Sequence, residues 1–145
     1  MQIKQKIYKN QTGMSLLEIM VSLSILVVTF ITLMQSFPMA LAINKTSENA
    51  TKASYLAQEK LEEINSFGYN NIAVGTIEAK HRLSNISTDY LYYFQRETTV
   101  NYVDSNLQNS VSDTGLKKIS VTIYYTNSFL KTEKTYSTVT LISQL

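Results

Sequence analysis

The chain has 145 residues and no cysteine, which excludes thiolate metal sites, thiol nucleophiles and thiol redox chemistry. Thirteen Lys and Arg residues against eleven Asp and Glu residues give a formal net charge of +2, and no basic patch stands out. Nucleic acid is therefore an unsupported partner.

The first element is a polar leader followed by a long apolar run. The leader carries Lys4, Lys6 and Lys9 and no acid, and the apolar run extends from Leu16 to Met34. As a helix this run would rise about 28 Å, close to the roughly 30 Å of a bilayer core. Positive charge before such a span favours a cytoplasmic leader. The sequence therefore predicts a single-pass membrane protein whose C-terminal part is exported.

Glu18 is the one ionisable residue in the apolar run. An acid at the centre of a membrane helix costs about 2.5 to 3.5 kcal/mol, and less near an interface. One interpretation places Glu18 near the headgroups, where it reaches water. The other gives it a function, because a charge in hydrocarbon is stabilised by a fixed opposite charge.

The boundary between leader and apolar run is unusual for a secretory signal. A signal peptide is cleaved after its apolar stretch, whereas the small-residue boundary here, Thr12-Gly13, precedes it. Cleavage after Gly13 would keep the hydrophobic helix as the new N-terminus. Glycine suits such a site, because it lets an extended backbone enter a narrow protease without a side-chain clash.

The run Gly13-Met14-Ser15-Leu16-Leu17-Glu18 resembles the class III signal of type IV prepilins and pseudopilins. The resemblance implies that a membrane-embedded prepilin peptidase cuts after Gly13 and methylates the amine of Met14. Phenylalanine is the commonest residue at that mature first position, so Met14 departs from the pattern. The resemblance also implies that Glu18, the mature fifth residue, meets the N-terminal amine of a neighbouring subunit during filament assembly.

Helical spacing continues beyond the apolar run, where Pro38 removes one backbone hydrogen bond and is expected to kink the helix. Apolar residues then recur at three- and four-residue steps: Ala50, Ala53, Ala57, Leu61 and Ile64. This spacing predicts an amphipathic helix. Glu48 and Lys52 form an i,i+4 pair, and Phe67-Gly68 is expected to end the helix.

The stretch from Ala53 to Glu63 is similar to the "A-x-x-L-A-Q-x-K-L-E-E" segment of the minor pilins called PilV and the pseudopilins called GspI. The run Leu116–Ile123, followed by a final strand, resembles the same group. The family likeness is thus strong in the N-terminal third of the chain and weak in the rest.

The C-terminal half is predicted to be rich in β-structure. Gly68–Ser87 has no clear period and is interpreted as a variable connection, whose strand content the sequence leaves open. Three stretches carry the aromatic, β-branched or alternating residues of strands: Tyr90–Val103, Lys117–Tyr125 and Thr135–Ser143. They are joined by a polar loop, Asp104–Gly115, and a turn, Thr126–Lys134. On the second of these stretches, Lys117–Tyr125, one face is expected to hold Ile119, Val121, Ile123 and Tyr125.

The expected fold class is α+β, with one long N-terminal helix, transmembrane in its first half and amphipathic in its second, packed on a small antiparallel sheet. Four parts are expected: a cleaved leader (1–13), a transmembrane and filament-core helix (14–37), an exported amphipathic helix (38–67) and a β-rich part (68–145). About 100 residues beyond the membrane helix suffice for one small domain.

Residues that could carry chemistry are few. His81 is the one histidine and is interpreted as a solvated loop residue. Asp104 and Asp113 could meet calcium, but they lack the spaced oxygen ligands of an EF-hand. Tyr92, Tyr93 and Phe94 are either an exposed patch or, by default, a buried sheet face. No catalytic residue, metal site or cofactor is predicted, and nothing favours an enzyme.

The preferred hypothesis is a minor pilin or pseudopilin. Its expected partners are other pilin-like subunits, bound through the N-terminal helix, the prepilin peptidase, the lipid bilayer and a membrane assembly platform. The filament belongs to a pilus, a type II secretion system or a competence machine, and the protein would end in a periplasmic or cell-surface filament. One alternative is a filament-tip binding module that recognises DNA, a surface or a secreted protein. The other is an ordinary single-pass membrane protein in which Gly13 and Glu18 are accidental.

Overall fold

The computed structural model describes residues 13–126 and 131–144. The chain divides into two compact units, residues 1–40 and 41–145. One long helix, α1 (Leu16–Ser66), contributes to both units, and all the other elements belong to the second. The predicted leader, apart from Gly13, lies outside the described residues.

The first half of α1 is helical without interruption, and Pro38 lies inside the helix with helical residues on both sides. Every described residue from Gly13 to Leu41 is exposed within the chain. No described residue of the chain therefore packs over the apolar side chains of this half of α1.

The second half of α1 is amphipathic, as the spacing predicted. Its buried residues are Asn49, Ala53, Leu56, Ala57, Leu61 and Ile64. Small alanine side chains let this face of the helix approach the sheet closely. Glu48 accepts from Lys52 at 2.5 Å, which confirms the expected i,i+4 pair.

The helix ends where the sequence indicates. The amide of Gly68 donates to the carbonyl of Asn65 at 3.2 Å, and Gly68 has a φ of 71°. This left-handed conformation is one that glycine adopts without a steric penalty, and it turns the chain out of α1.

A five-stranded antiparallel sheet forms the rest of the second unit, and the α+β class is confirmed. Its strands are β1 (Gly75–Arg82), β2 (Phe94–Val103), β3 (Asn109–Ser110), β4 (Leu116–Thr126) and β5 (Glu133–Ser143). Their order is β1-β2-β4-β5, and β3 pairs with β2. The pairing of Thr126 with Glu133 confirms a turn between β4 and β5, whose residues 127–130 lie outside the described part.

The core lies between the sheet and the second half of α1. The alternation on β4 is confirmed, since Ile119, Val121 and Ile123 are fully buried. They pack in one cluster with Phe94, with Val100 and with the buried face of the helix. Burial of each such side chain contributes about 1.5 to 3 kcal/mol, so this cluster is the main stabilising term of the unit.

One local prediction was wrong, and the sequence leaves one segment open. Gly75–Arg82, in the connection whose strand content is left open, is β1, an edge strand with irregular register between Thr76 and Glu78 and again between Glu78 and His81. Tyr90–Tyr93, at the start of a stretch predicted to be β-rich, is a 3-10 helix. The Asp89 carboxylate caps this helix by accepting from the amide of Leu91 at 3.1 Å.

Lys117 is the unexpected member of the core face of β4, being only 4% exposed. Its Nζ donates to the carbonyls of Tyr69 at 2.7 Å and Ile72 at 2.8 Å, and it lies 4.1 Å from the centroid of the Tyr69 ring. The Tyr69 hydroxyl donates in turn to Asp113. These bonds connect the segment after α1 to the start of β4.

Candidate processing and assembly site

Gly13 and Met14 directly precede α1. A Cβ on Gly13 would meet no atom within 4 Å, and the φ of Gly13 is not left-handed. Met14 is 68% exposed. The folded structure therefore places no steric demand for glycine at position 13, and any demand comes from something that acts on the chain.

Glu18 lies in the first turn of α1, where the helix begins with a bond from the amide of Ile19 to the carbonyl of Ser15 at 3.2 Å. A carboxylate here is stabilised by the partial positive charge of the helix N-terminus, by about 0.3 to 1 kcal/mol. Within residues 13–126 and 131–144, no cation forms an ion pair with Glu18. This carboxylate thus has room for a positively charged partner.

Around Glu18, the apolar run presents an extensive hydrophobic surface. Fourteen large apolar side chains between Leu16 and Met34 are exposed by 47% to 76%. Leaving this surface in water would cost on the order of tens of kcal/mol. By length and composition α1 is the one described helix able to cross a membrane. A lipid bilayer or a bundle of similar helices would remove this surface from water.

Four hydroxyl groups of this half of α1 are satisfied by the helix itself. Four side chains donate to the carbonyl four residues earlier, at 2.8 to 2.9 Å: Ser24 to Met20, Thr29 to Ile25, Thr32 to Val28 and Ser36 to Thr32. This back-bonding means that these hydroxyls need no water. They are therefore compatible with hydrocarbon, whereas Glu18 is an ionisable group to which no described residue supplies an opposite charge.

The other candidate residues have local structural roles. His81 lies in β1 instead of a loop, with Nε2 3.3 Å from a Glu78 carboxylate oxygen. The carboxylate of Asp104 accepts from the amides of Asn106 and Gln108, both at 2.9 Å, and Asp113 accepts from the amide of Gly115. Among the residues that the structure describes, no cluster of three His, Asp or Glu side chains could hold a metal ion.

The aromatic run Tyr92–Phe94 is interpreted from the sequence as either an exposed patch or a buried sheet face, and its residues divide between the two. Phe94 is buried in the core, whereas Tyr93 is 63% exposed. Tyr93 lines a cavity of about 540 Å³ together with Lys45, Lys52 and Lys131. Sequence reasoning missed this group, because its members come from the helix, the 3-10 helix and the β4–β5 connection. No short sequence motif joins them.

No family model matches the chain, and comparisons with curated proteins and with solved structures find no match. The likeness to type IV pilins therefore depends on the Gly13–Glu18 run and on the fold. That fold has a long N-terminal helix, apolar in its first half and packed through its second half on an antiparallel sheet. It is compatible with a pilin-like architecture.

Proposed function

We propose that this chain is a minor pilin or pseudopilin, a subunit of a type IV pilus-like filament. The observation that supports the proposal is Glu18, which has no ion-pair partner among the described residues and lies at the start of an exposed apolar helix surface. The boundary Gly13-Met14 lies one helical turn before this acid. An acid placed there calls for a cation, and no described residue supplies one.

Processing would supply that cation. Cleavage between Gly13 and Met14 creates a new α-amine at the start of α1, four residues before Glu18. In a filament, the amine of one subunit meets the Glu18 carboxylate of its neighbour. Breaking a buried pair of this kind by removing one partner costs about 3 to 5 kcal/mol, so pairing selects the assembled register.

The apolar surface explains how a subunit leaves the membrane. The side chains of Leu16–Met34 would exchange lipid for the helices of neighbouring subunits, and both surroundings are equally apolar. The transfer therefore involves little change in hydrophobic free energy. Packing and the Glu18 pair then decide between bilayer and filament.

The partners follow from this route. They are other pilin-like subunits, a prepilin peptidase, the lipid bilayer and a membrane platform driven by a cytoplasmic ATPase. The machine is a type IV pilus, a type II secretion system or a competence apparatus, and the second unit would lie on the exported side. The leader lysines, outside the described residues, would hold the N-terminus in the cytoplasm.

Glu18→Ala tests the proposal directly. The variant should be inserted and cleaved like the natural chain, but its recovery in sheared filaments should fall at least about tenfold, because the neighbour's amine is left unpaired. Glu59→Ala is the matched control, since Glu59 is exposed on the second half of the same helix. Equal recovery of the two variants in filaments would refute the role of Glu18.

A second candidate function is a binding module carried by the same filament, in which the second unit recognises a ligand. The cavity beside Tyr93 favours it, because lysines, tyrosines and a buried amide converge there. This function adds to filament assembly and does not replace it.

A further inference from the structure

A cavity of about 540 Å³ opens in the second unit beside the C-terminal half of α1. The helix contributes Lys45, Asn49 and Lys52 to its wall, and the 3-10 helix Tyr90–Tyr93 contributes its first and last tyrosines. Small-molecule sites in proteins typically measure about 300 to 1,000 Å³. The cavity is therefore large enough for a ligand of one to three rings.

The cavity wall contains one largely buried polar group, the side-chain amide of Asn49. Asn49 is 9% exposed and lines the cavity. An amide offers two N–H donors and one carbonyl acceptor, and a buried amide is stabilised when these are used. Phe94, 2% exposed, provides an apolar surface next to it. A ligand ring that carries hydroxyl groups at its edge and has an apolar face would match both groups. The hydroxyl groups would bond to the Asn49 amide, and the apolar face would contact Phe94.

The cavity wall carries an excess of positive charge. Lys45 and Lys52 both bind the carboxylate of Glu48, at 2.9 and 2.5 Å, and Lys131 adds a third ammonium group. Hydrogen bonds from Lys52 and then Lys45 lower the pKa of Glu48 to about 2, so this carboxylate is ionised over the whole physiological range. Three cations against one anion leave a demand for negative charge in the ligand.

Two tyrosine rings complete the site. Tyr90 and Tyr93 are 55% and 63% exposed, which is high for aromatic side chains with no partner in the core. The Nζ of Lys52 lies 5.2 Å from the centroid of the Tyr90 ring, a cation–π arrangement that fixes the ammonium group beside the ring. A flat ligand ring could stack on these tyrosines while its acid faces the lysines.

We propose that this cavity binds an acidic sugar, such as a uronate unit of a surface or extracellular glycan. The sugar carboxylate is held by Lys52 and Lys131, the apolar face of the pyranose ring stacks on Tyr93, and a ring hydroxyl bonds to the Asn49 amide. The protein groups thus recognise three chemical features of the ligand: its carboxylate, its apolar ring face and a hydroxyl group. This binding goes beyond filament assembly and does not depend on it.

The charge of the second unit argues against a nucleic acid as the ligand. Residues 41–145 contain ten Lys and Arg residues and ten Asp and Glu residues, so their formal charges cancel. Nucleic-acid binding requires a positive surface that follows several phosphates along the strand. One local group of lysines suits a ligand with one charge per ring better than a polyanionic strand.

Binding is best measured on the full chain in detergent micelles, by isothermal titration calorimetry with tri-galacturonate. Neutral galactotriose and a short oligothymidylate serve as comparison ligands. We expect tri-galacturonate to bind at least about tenfold more tightly than galactotriose, because the lysines recognise the carboxylate. The oligothymidylate should bind more weakly than tri-galacturonate at the same salt concentration.

Two exposed positions test the site without disturbing the core. Tyr93→Ala and Lys131→Gln should each weaken tri-galacturonate binding about tenfold, through lost stacking and lost charge pairing. Tyr55→Ala is the matched control for the first, because Tyr55 is 72% exposed on another part of the helix. Lys118→Gln is the control for the second, because Lys118 lies on the opposite face of β4 and bonds to Asn109. Both controls should bind like the natural chain.

The proposal is overturned by any of three results: no measurable binding of tri-galacturonate, equal affinity for galactotriose, or tighter binding of the oligothymidylate. It is also overturned if the Tyr93 and Lys131 variants bind as well as their controls. The near-UV circular dichroism of each variant shows that the fold is kept. Failure of this proposal leaves filament assembly untouched, since Glu18 is not involved.

Discussion

The two halves of α1 have opposite relations to their own chain. In the first half, large apolar side chains such as Leu23 and Phe30 are exposed and no described strand covers them. In the second half, charged residues are exposed, and a narrow face containing Ala53 and Ala57 is completely buried under the sheet. One continuous helix thus serves two surroundings.

The side-chain sizes show why. A helix that packs on its own sheet gains from small residues on one face, because they permit a close approach. A helix that meets lipid or equivalent helices needs apolar side chains on every side, because it has no wet face. The second half is thus covered by the fold, whereas no described residue covers the apolar surface of the first half.

The largest effect that separates the two halves is expected from paired phenylalanine truncations. Phe94→Ala should lower the free energy of unfolding of the second unit by about 3 to 5 kcal/mol, because it leaves a cavity in the core. Phe30→Ala should leave that free energy unchanged, since Phe30 is 58% exposed in the apolar run. Urea unfolding of the full chain in micelles, followed by near-UV tyrosine ellipticity, measures both. A similar loss in the two variants would contradict the difference between the exposed first half of α1 and the packed second unit.

The next effect concerns membrane insertion. Val27→Lys places a charge near the middle of the apolar run and should disfavour insertion by about 2.5 to 3.5 kcal/mol. Tyr55→Lys introduces the same charge on the exposed side of the second half and should have no effect. The fraction of each variant that resists alkaline extraction from membranes is the readout. Equal extraction of both would show that the two halves do not differ in surroundings.

A smaller effect is expected from neighbouring lysines of the second unit. Lys117→Met leaves the carbonyls of Tyr69 and Ile72 without their donor, which should cost about 1 to 3 kcal/mol of unfolding free energy. Lys118→Met on the other face of β4 should change stability by less than about 0.5 kcal/mol. The same urea titration tests both, and equal midpoints would contradict the structural role of Lys117.

The smallest effect is a dependence on alkaline pH. Burial, followed by the bond to Asp113, raises the pKa of Tyr69 from 10.0 to about 12. Because the folded pKa lies above the unfolded value, the stabilisation is fully present below pH 10 and is lost as pH rises through about 12. Tyr69→Phe should therefore show a shallower loss of stability between pH 10 and 12 than the natural chain. Parallel losses would contradict this linkage.

Much of the fold could be predicted where the pattern was local. The Ala53–Ile64 stripe, the stop at Phe67-Gly68 and the alternation on β4 each follow from residues a few positions apart, and all were confirmed. The strand β1 was missed because its register slips twice and because both of its faces are largely exposed, which removes the apolar alternation.

The two candidate sites also differ in how far the sequence could predict them. Gly13, Met14 and Glu18 are adjacent in the sequence and could be identified as one signal, and their roles remain predictions. The cavity beside Tyr93 could not be predicted, because Lys45 and Lys131 are brought together only by the packing of the helix against the sheet. Tyr90–Tyr93 has the composition of a strand but forms a 3-10 helix, which the Asp89 carboxylate caps.

The most direct test of the central claim is the mass of the N-terminal peptide of the protein extracted from its native membrane. A chain that begins at Met14 is expected, because cleavage is proposed at the peptide bond after Gly13. A chain that still begins at Met1, in cells with an active prepilin peptidase, would contradict it.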